Sequence, residues 1–252
     1  MRILTIETST RFPSIAVLDV NTERTTPLAE LFSTRSSNET TFDGQILTLA
    51  ENIGMNERMG SSHSLLPAIQ IALGDAKISL KQVSLIIVNL GPGSFTGLRT
   101  GIVTAKTISF AMDCPVVGVA GMEVLAWQAC QHIPDCFATD SKISVGINVG
   151  RGESYHCEFV THDRQVTKIA GPTISSPENW IDGVKGEFWI TGSGAELLSQ
   201  VKHDESKIIP KSCHRIDVVK MSAFGVNQFL ADGPGDMWTL EPIYSRPSAA
   251  EE

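Results

Sequence analysis

The first twenty residues contain two short apolar segments separated by a polar turn. Arg2 to Glu7 is an apolar run that ends in a carboxylate, and Ser14 to Asp19 is a second segment rich in apolar residues. Such a pair of segments predicts a β-hairpin. A third strand is expected over Thr25 to Ser33. Lys142 to Asn148 and Ser154 to Val160 repeat the hairpin pattern later in the chain, which indicates a duplicated α/β unit.

The most informative segment runs from an apolar strand through a glycine-rich turn into a helix. Val83 to Leu90 is nearly continuous in apolar residues, as expected of a strand that is buried on both faces. The turn GPGSFTG follows, and Ser94 to Ala111 has the spacing of a long helix. One stripe of this helix consists of small residues four positions apart, which lets another backbone approach closely: Gly97, Gly101, Ala105 and Ser109.

The remaining pattern predicts alternating helices and strands. Ser64 to Leu73 has helical spacing, with a cap at Ser61 or Ser62 and an end near Gly74. Further strands and helices are expected at Cys114 to Val119, Gly121 to Gln131, Phe188 to Gly192 and Ala223 to Leu230. The alternation is typical of an α/β protein.

Composition narrows the class of protein. The chain has 252 residues, of which 42% are hydrophobic and 19% are charged, so a sizeable core is expected and bulk disorder is disfavoured. The net charge is -8 with no cluster of lysine and arginine, which argues against independent tight binding of nucleic acid. No stretch reaches the roughly 18 apolar residues of a membrane span, and the first residues do not resemble a signal peptide. We therefore expect a cytoplasmic protein without membrane contact.

The five cysteines are expected to be free thiols. Their number is odd and no CxxC pair occurs: Cys114, Cys130, Cys136, Cys157 and Cys213. Cys130, His132 and Cys136 form the cluster most similar to metal ligands, but the spacing matches no zinc template and a fourth ligand is missing. No two histidines have the i, i+4 spacing of a metal-binding helix. We therefore expect no metal.

The glycine-rich turn is compatible with three occupants, namely a phosphate, a neighbouring helix or a partner protein. It is not a P-loop, because no Gly-Lys-Ser/Thr follows, and its glycine spacing is one residue too long for the dinucleotide fingerprint. The acid at the end of the first strand resembles the first phosphate-contacting hairpin of actin-like ATPases, where an aspartate typically holds a hydrated Mg²⁺. The candidate residual phosphate turn consists of Glu7, Thr8, Ser9, Gly91, Gly93 and Ser94.

Several motifs together resemble the bacterial TsaB (YeaZ) family. They are ILTIETS, the helix start SLLP, GPGSFTGLRTG with Ala105 and Lys106, PVVGV from Pro115 to Val119, and the terminal PIYSRPS. The resemblance is dense over roughly residues 1 to 127 and thin from about Phe137 to Met237. It departs from the family where Ser61 and His63 replace a histidine and a glutamate before the first helix.

The resemblance implies an actin-like (ASKHA, ribonuclease H-like) α/β fold of two duplicated lobes. We expect residues 1–112 to form the first lobe and 113–252 the more divergent second lobe, with the last helix, about 221–231, packing back on the first. The family acts in the synthesis of N6-threonylcarbamoyladenosine on tRNA. There TsaB is a non-catalytic paralogue that dimerises with the transferase TsaD, and the ATPase TsaE joins them.

The same resemblance implies that this chain is not itself an enzyme. TsaD-type proteins carry a metal-binding H-x-x-x-H on the helix after a Gly-Val turn, and aligning Gly118 and Val119 puts Gly121 and Leu125 at those positions. Neither residue binds metal. The old interpretation of the wider family as metalloproteases requires the same histidines. We therefore expect no cofactor, with ATP and Mg²⁺ bound only weakly or at the subunit junction, and contact with tRNA only through a partner.

The resemblance also places the TsaD-binding surface on the two helices of the first lobe. The expected interface residues are Ser62, Leu65, Leu66, Ile69, Gly97, Leu98, Gly101, Ile102 and Ala105. The same surface is expected to form a homodimer when the partner is missing. We expect Gly101→Leu or Leu66→Asp to break the complex and to leave the chain folded. The alternative function is an actin-like kinase or transferase that binds nucleotide and acts alone.

Overall fold

The computed structural model describes residues 1–10, 14–20, 41–42, 46–53, 60–136, 140–162, 165–201 and 207–246. They form two compact units. The first unit comprises residues 1–120 and 217–243, and the second comprises residues 121–216 and 244–252. The third strand expected over Thr25 to Ser33 lies outside the described residues.

The elements alternate along the chain as the sequence pattern predicts. The strands are β1 (Arg2–Glu7), β2 (Ser14–Val20), β3 (Thr41–Phe42), β4 (Ile46–Ile53), β5 (Leu85–Gly91), β6 (Val116–Ala120), β7 (Lys142–Asn148), β8 (Ser154–His162), β9 (Gln165–Ser175) and β10 (Trp189–Thr191). The helices are α1 (Gly60–Asp75), α2 (Phe95–Met112), α3 (Gly121–Ala129), α4 (Pro177–Gly183) and α5 (Val218–Asp232). The sequence pattern did not predict β3, β4, β9 or α4.

The first unit is built on a six-stranded sheet with the order β3-β4-β2-β1-β5-β6. The predicted hairpin of β1 and β2 is antiparallel, and β5 and β6 continue the sheet in parallel with β1. The side chains of Leu4, Ile6, Ile86 and Val88 face a core that α1 and α2 cover. The opposite face receives α5, where Thr5 and Ser222 share a hydrogen bond of 2.6 Å between their hydroxyl groups. Burial on both faces explains the continuous apolar run of β5.

The boundary of the first unit follows from these pairings. The predicted boundary lies after residue 112, but β6 pairs with β5 and so belongs to the first unit. The last helix, α5, contacts β1, β2, β5 and β6 and belongs to the same unit.

The second unit has a four-stranded sheet with the order β10-β7-β8-β9. The strands β7, β8 and β9 are antiparallel neighbours, and β10 lies parallel to β7. Its core contains Met122 and Leu125 of α3 together with Ile143, Val145 and Phe159. Trp180 of α4 is fully buried, and its ring lies so close to Gly146 that no Cβ fits there.

The two units share one topology. In the first, a hairpin (β1, β2) gains a third antiparallel strand (β4), and the next strand (β5) lies parallel to β1. In the second, β7 and β8 gain β9, and β10 lies parallel to β7. The predicted duplication of an α/β unit is therefore confirmed.

Candidate functional site

The acid at the end of β1 is part of a buried hydrogen-bond network. Because β1 and β5 are adjacent parallel strands, the side chains of Glu7 and Asn89 meet at their carboxyl ends. One carboxylate oxygen of Glu7 accepts hydrogen bonds from the Ser9 amide at 2.7 Å, the Ser9 hydroxyl at 2.6 Å and the Asn89 side-chain amide at 3.0 Å. The other oxygen accepts one from the Thr10 hydroxyl at 3.0 Å. Four donors of this chain thus surround a buried carboxylate.

The glycine-rich turn packs directly on the segment that follows β1. A Cβ atom at Gly93 would overlap the carbonyl oxygen of Ser9, and one at Gly97 would overlap the carbonyl oxygen of Thr8. One helical turn further along α2, a Cβ atom at Gly101 would overlap the Thr8 hydroxyl. Gly93 and Gly97 therefore leave room for the backbone of this same chain, and Gly101 leaves room for the side chain of Thr8.

The amides of the turn are also used within the chain. Gly91 N donates to Asn89 Oδ1 at 2.8 Å, and Ser94 N donates to the carbonyl oxygen of Ser9 at 2.7 Å. Gly97 N donates to Ser94 Oγ, which caps α2, at 3.2 Å. A phosphate-binding turn points such amides at its ligand. The six residues of the candidate phosphate turn do lie together, but their hydrogen-bonding groups mainly contact one another.

Most of the expected partner-binding residues lie inside the first unit. In α1 and α2 the buried residues are Leu65, Ile69, Gly97, Leu98, Gly101, Ile102 and Ala105. An amphipathic helix covers its own sheet with its apolar stripe, and these residues are that stripe. The prediction that these side chains form a partner surface is therefore wrong for this group.

Two residues of the expected interface differ from that group. Leu66 is exposed, with 59% of its surface accessible. Ser62 lies in the first turn of α1, and its side chain is not among those that the structure describes. A leucine at position 101 would enter the space of the Thr8 side chain, which argues against the expectation that Gly101→Leu leaves the chain folded.

The outer face of α2 carries exposed apolar residues that are not among the predicted interface residues. Val103 and Phe110 are seven positions apart, which places them on the same helix face, and they are 61% and 67% exposed. The Phe110 ring contacts Trp238 edge-on, with 6.0 Å between the ring centroids. Lys106 Nζ fixes the segment of Trp238 by donating to its carbonyl oxygen at 3.3 Å. The signal in the sequence was a second, weaker apolar spacing on α2.

The start of α3 corresponds to the expected position of a metal-binding helix. Gly121 begins this helix directly after β6, and both Gly121 and Leu125 are buried. Leu125 belongs to the apolar core of the second unit. The chain therefore has an apolar side chain where the resemblance would require a metal ligand.

The cysteine cluster does not assemble as a metal site. In the part of the chain that the structure describes, no three His, Cys, Asp or Glu side chains are grouped to hold a metal ion. Cys136 Sγ lies 3.9 Å from the Thr161 hydroxyl, whereas His132 Nε2 contacts Cys213 Sγ. The contact between His132 and Cys213 was not predicted, because the two residues are far apart in the sequence. Burial raises the pKa of the Cys114 and Cys157 thiols to about 11.

Among the helices of the described ranges, none is both long enough and apolar enough to cross a bilayer.

Comparison with known proteins identifies the family. Residues 59–219, more than half of the chain, match the family model of TsaD, tRNA N6-adenosine threonylcarbamoyltransferase. The Haemophilus influenzae protein TsaB, named for tRNA threonylcarbamoyladenosine biosynthesis, is 33% identical over 80% of this chain and 87% of its own. Bacillus subtilis TsaB is 39% identical over 37% of this chain and 39% of its own, and an uncharacterized Mycobacterium leprae protein is 31% identical over 54% and 34%. The matched part thus spans well under half of the last two relatives.

A solved structure agrees with the fold. YeaZ from Pseudomonas aeruginosa superposes with a TM-score of 0.70 at 18% identity, covering 96% of this chain and 99% of that one. The similarity confirms the predicted α/β fold with two lobes. Taken with the matching family model and the Haemophilus influenzae relative, it shows that this chain belongs to the TsaB (YeaZ) family.

Proposed function

We propose that this chain is a non-catalytic subunit in the synthesis of N6-threonylcarbamoyladenosine on tRNA, and that it dimerises with a TsaD-like transferase. Its relatives are named for this pathway. In this proposal the partner performs the transfer chemistry and contacts the tRNA. A TsaE-like ATPase joins the pair, and the assembly works in the cytoplasm.

The observation that carries the non-catalytic role is the packing of the glycine-rich turn on Thr8 and Ser9. In an actin-like ATPase this region is where a turn and an acidic strand end hold Mg-nucleotide. Here the backbone of the same chain occupies the space beside Gly93 and Gly97. Glu7 is held by donors from Ser9, Thr10 and Asn89. Leu125 of α3 also agrees with this role, because it is a buried apolar residue at a position where TsaD-type proteins carry a metal-binding histidine.

The partner surface in this proposal is the outer face of the helix pair α1 and α2. Leu66, Val103 and Phe110 are large apolar side chains that stay exposed in the single chain. Exposed apolar side chains grouped on one surface are typical of protein–protein contacts. The family resemblance assigns the TsaD contact to these two helices, and the outward residues are the ones available for it.

The direct test of the function is to delete the gene in the organism of origin and to measure tRNA nucleosides by mass spectrometry. We expect threonylcarbamoyladenosine to disappear and to return when the wild-type gene is restored. Persistence of the modified nucleoside in the deletion strain would contradict the proposed pathway. Restoration with a gene that encodes Leu66→Asp tests the proposed partner surface separately from the pathway. We expect this variant to restore little of the modification.

A further inference from the structure

A thiol and an imidazole of the second unit form a contact that the proposed function does not use. His132 ends the 3₁₀ turn Cys130–His132 that follows α3, and Cys213 ends the 3₁₀ turn Lys211–Cys213. Cys213 Sγ lies 2.9 Å from His132 Nε2. An imidazole at hydrogen-bond distance can accept the thiol proton, and this is the usual way in which proteins activate a cysteine nucleophile.

The backbone around Cys213 is fixed by side chains of two other elements. The carbonyl oxygen of Cys213 accepts hydrogen bonds from Gln128 Nε2 of α3 at 3.3 Å and from Thr191 Oγ1 of β10 at 3.3 Å. Gln128 Nε2 also donates to the carbonyl oxygen of Arg215 at 2.9 Å. These hydrogen bonds hold the turn that contains Cys213 and so fix the position of the thiol beside the imidazole.

The surroundings of this pair suit a small anionic reagent. Cys213 is 6% exposed and packs at the edge of the apolar core of the second unit, and His132 and Ser212 beside it lie at the surface. Lys211 and Arg215 flank the cysteine and are exposed as well, in a chain whose net charge is -8. Lys211 Nζ also lies 3.8 Å from a carboxylate oxygen of Glu196. Cationic side chains raise the local concentration of anions.

We propose that Cys213, activated by His132, is a site of reversible modification by small anionic disulfides of the glutathione class. His132 Nε2 accepts the proton of the Cys213 thiol while Sγ attacks one sulfur of the disulfide. A new S–S bond forms to Cys213 as the S–S bond of the reagent breaks. The released thiolate takes the proton from His132, so the protein thiol is oxidised and half of the reagent is reduced to a thiol. A second free thiol reverses the step.

The test compares two cysteines of equal exposure in one molecule. Cys114 is also 6% exposed, but its Sγ lies 3.6 Å from the carbonyl oxygen of Pro115 and burial raises its pKa to about 11. The folded full-length chain is incubated with oxidised glutathione, and the mixed disulfides are located over time by peptide mass spectrometry. We expect Cys213 to react at least about tenfold faster than Cys114. Equal rates at the two cysteines would overturn the proposal.

A pair of histidine variants then tests the role of the imidazole. His132→Gln changes an exposed side chain, so we expect an unchanged thermal unfolding midpoint and a rate at Cys213 that is about tenfold lower. His162→Gln is the matched control, because His162 is an exposed histidine of the same unit that contacts Asp140 instead of a cysteine. We expect it to leave the rate unchanged. A rate at Cys213 that does not respond to His132→Gln refutes the activation by His132.

Discussion

Gly97 shows that packing within the chain can by itself require a glycine at the glycine-rich turn. In α2 a glycine costs roughly 1 kcal/mol relative to alanine, so its presence needs a compensating contact. The compensating contact is the carbonyl oxygen of Thr8, which occupies the position of the missing side chain. The glycine is therefore required for packing in this chain whether or not a phosphate ever binds.

Gly97→Ala should lower the stability of the chain. The new methyl group meets backbone, which cannot rotate away, so we expect the free energy of unfolding to fall by roughly 1–3 kcal/mol. Gly74→Ala is the matched control, since Gly74 also lies in a helix but has no atom within 4 Å of the would-be Cβ. We expect this control to be stabilised by up to about 1 kcal/mol. Urea denaturation of both variants measures the difference, and equal stability of the two would contradict the packing role.

The network of Glu7 illustrates what sequence reasoning can and cannot find among single residues. The pattern located the acid at the end of a strand beside the glycine-rich turn, and the structure does bring these residues together. It did not indicate that Ser9 and Asn89 would donate hydrogen bonds to the carboxylate. Such contacts depend on which side chains the parallel pairing places side by side, and strand register across a crossover is not visible in local spacing.

The helices α1 and α2 each have an inner and an outer apolar spacing. The sequence pattern located both helices closely, because a strong 3.6-residue period identifies an element reliably. It did not separate the stripe that covers the sheet from the residues that remain outside, because both contain large aliphatic residues. Leu65 is buried whereas its neighbour Leu66 is exposed, and only the direction of the helix on its sheet decides between them.

Leu66→Asp should weaken binding to the TsaD-like subunit and leave the chain folded. Leu66 is exposed, so aspartate costs the single chain little, whereas in a complex it would bury a charge without a partner. Leu230→Asp on α5 is the matched control, because Leu230 is the same residue type with 58% exposure against 59% for Leu66.

Copurification of tagged variants with the TsaD-like subunit from the same organism measures the effect. We expect at least a tenfold loss of affinity for Leu66→Asp, on the order of 1.4 kcal/mol, and no loss for Leu230→Asp. Equal recovery of the partner by both variants would argue against the outer face of the helix pair as the contact surface.

The duplicated topology explains why the sequence predicted the architecture better than the details of either unit. Each unit contains a hairpin, a third antiparallel strand and a fourth strand that is parallel to the first. In the sequence, only the two hairpins, β1–β2 and β7–β8, showed this repeat. The exposed strand β9 has little apolar alternation, because most of its residues face away from the core. Without that alternation a strand gives no signal of its own, and its place follows only from pairing with β8.

The internal hydrogen bonds of the glycine-rich turn lead to an expectation for nucleotide binding by the isolated chain in solution. Because the amides of Gly91, Ser94 and Gly97 donate within the chain, Mg-ATP would have to break these hydrogen bonds before binding there. We expect calorimetry of the isolated chain to give a Kd for Mg-ATP weaker than about 1 mM, less than about 4 kcal/mol of binding free energy. Micromolar binding that is lost in Glu7→Gln and accompanied by turnover would instead favour an actin-like enzyme that acts alone. Repeating the titration with the TsaD-like subunit present distinguishes a site on this chain from one that only the pair creates, since only the former survives in the isolated chain.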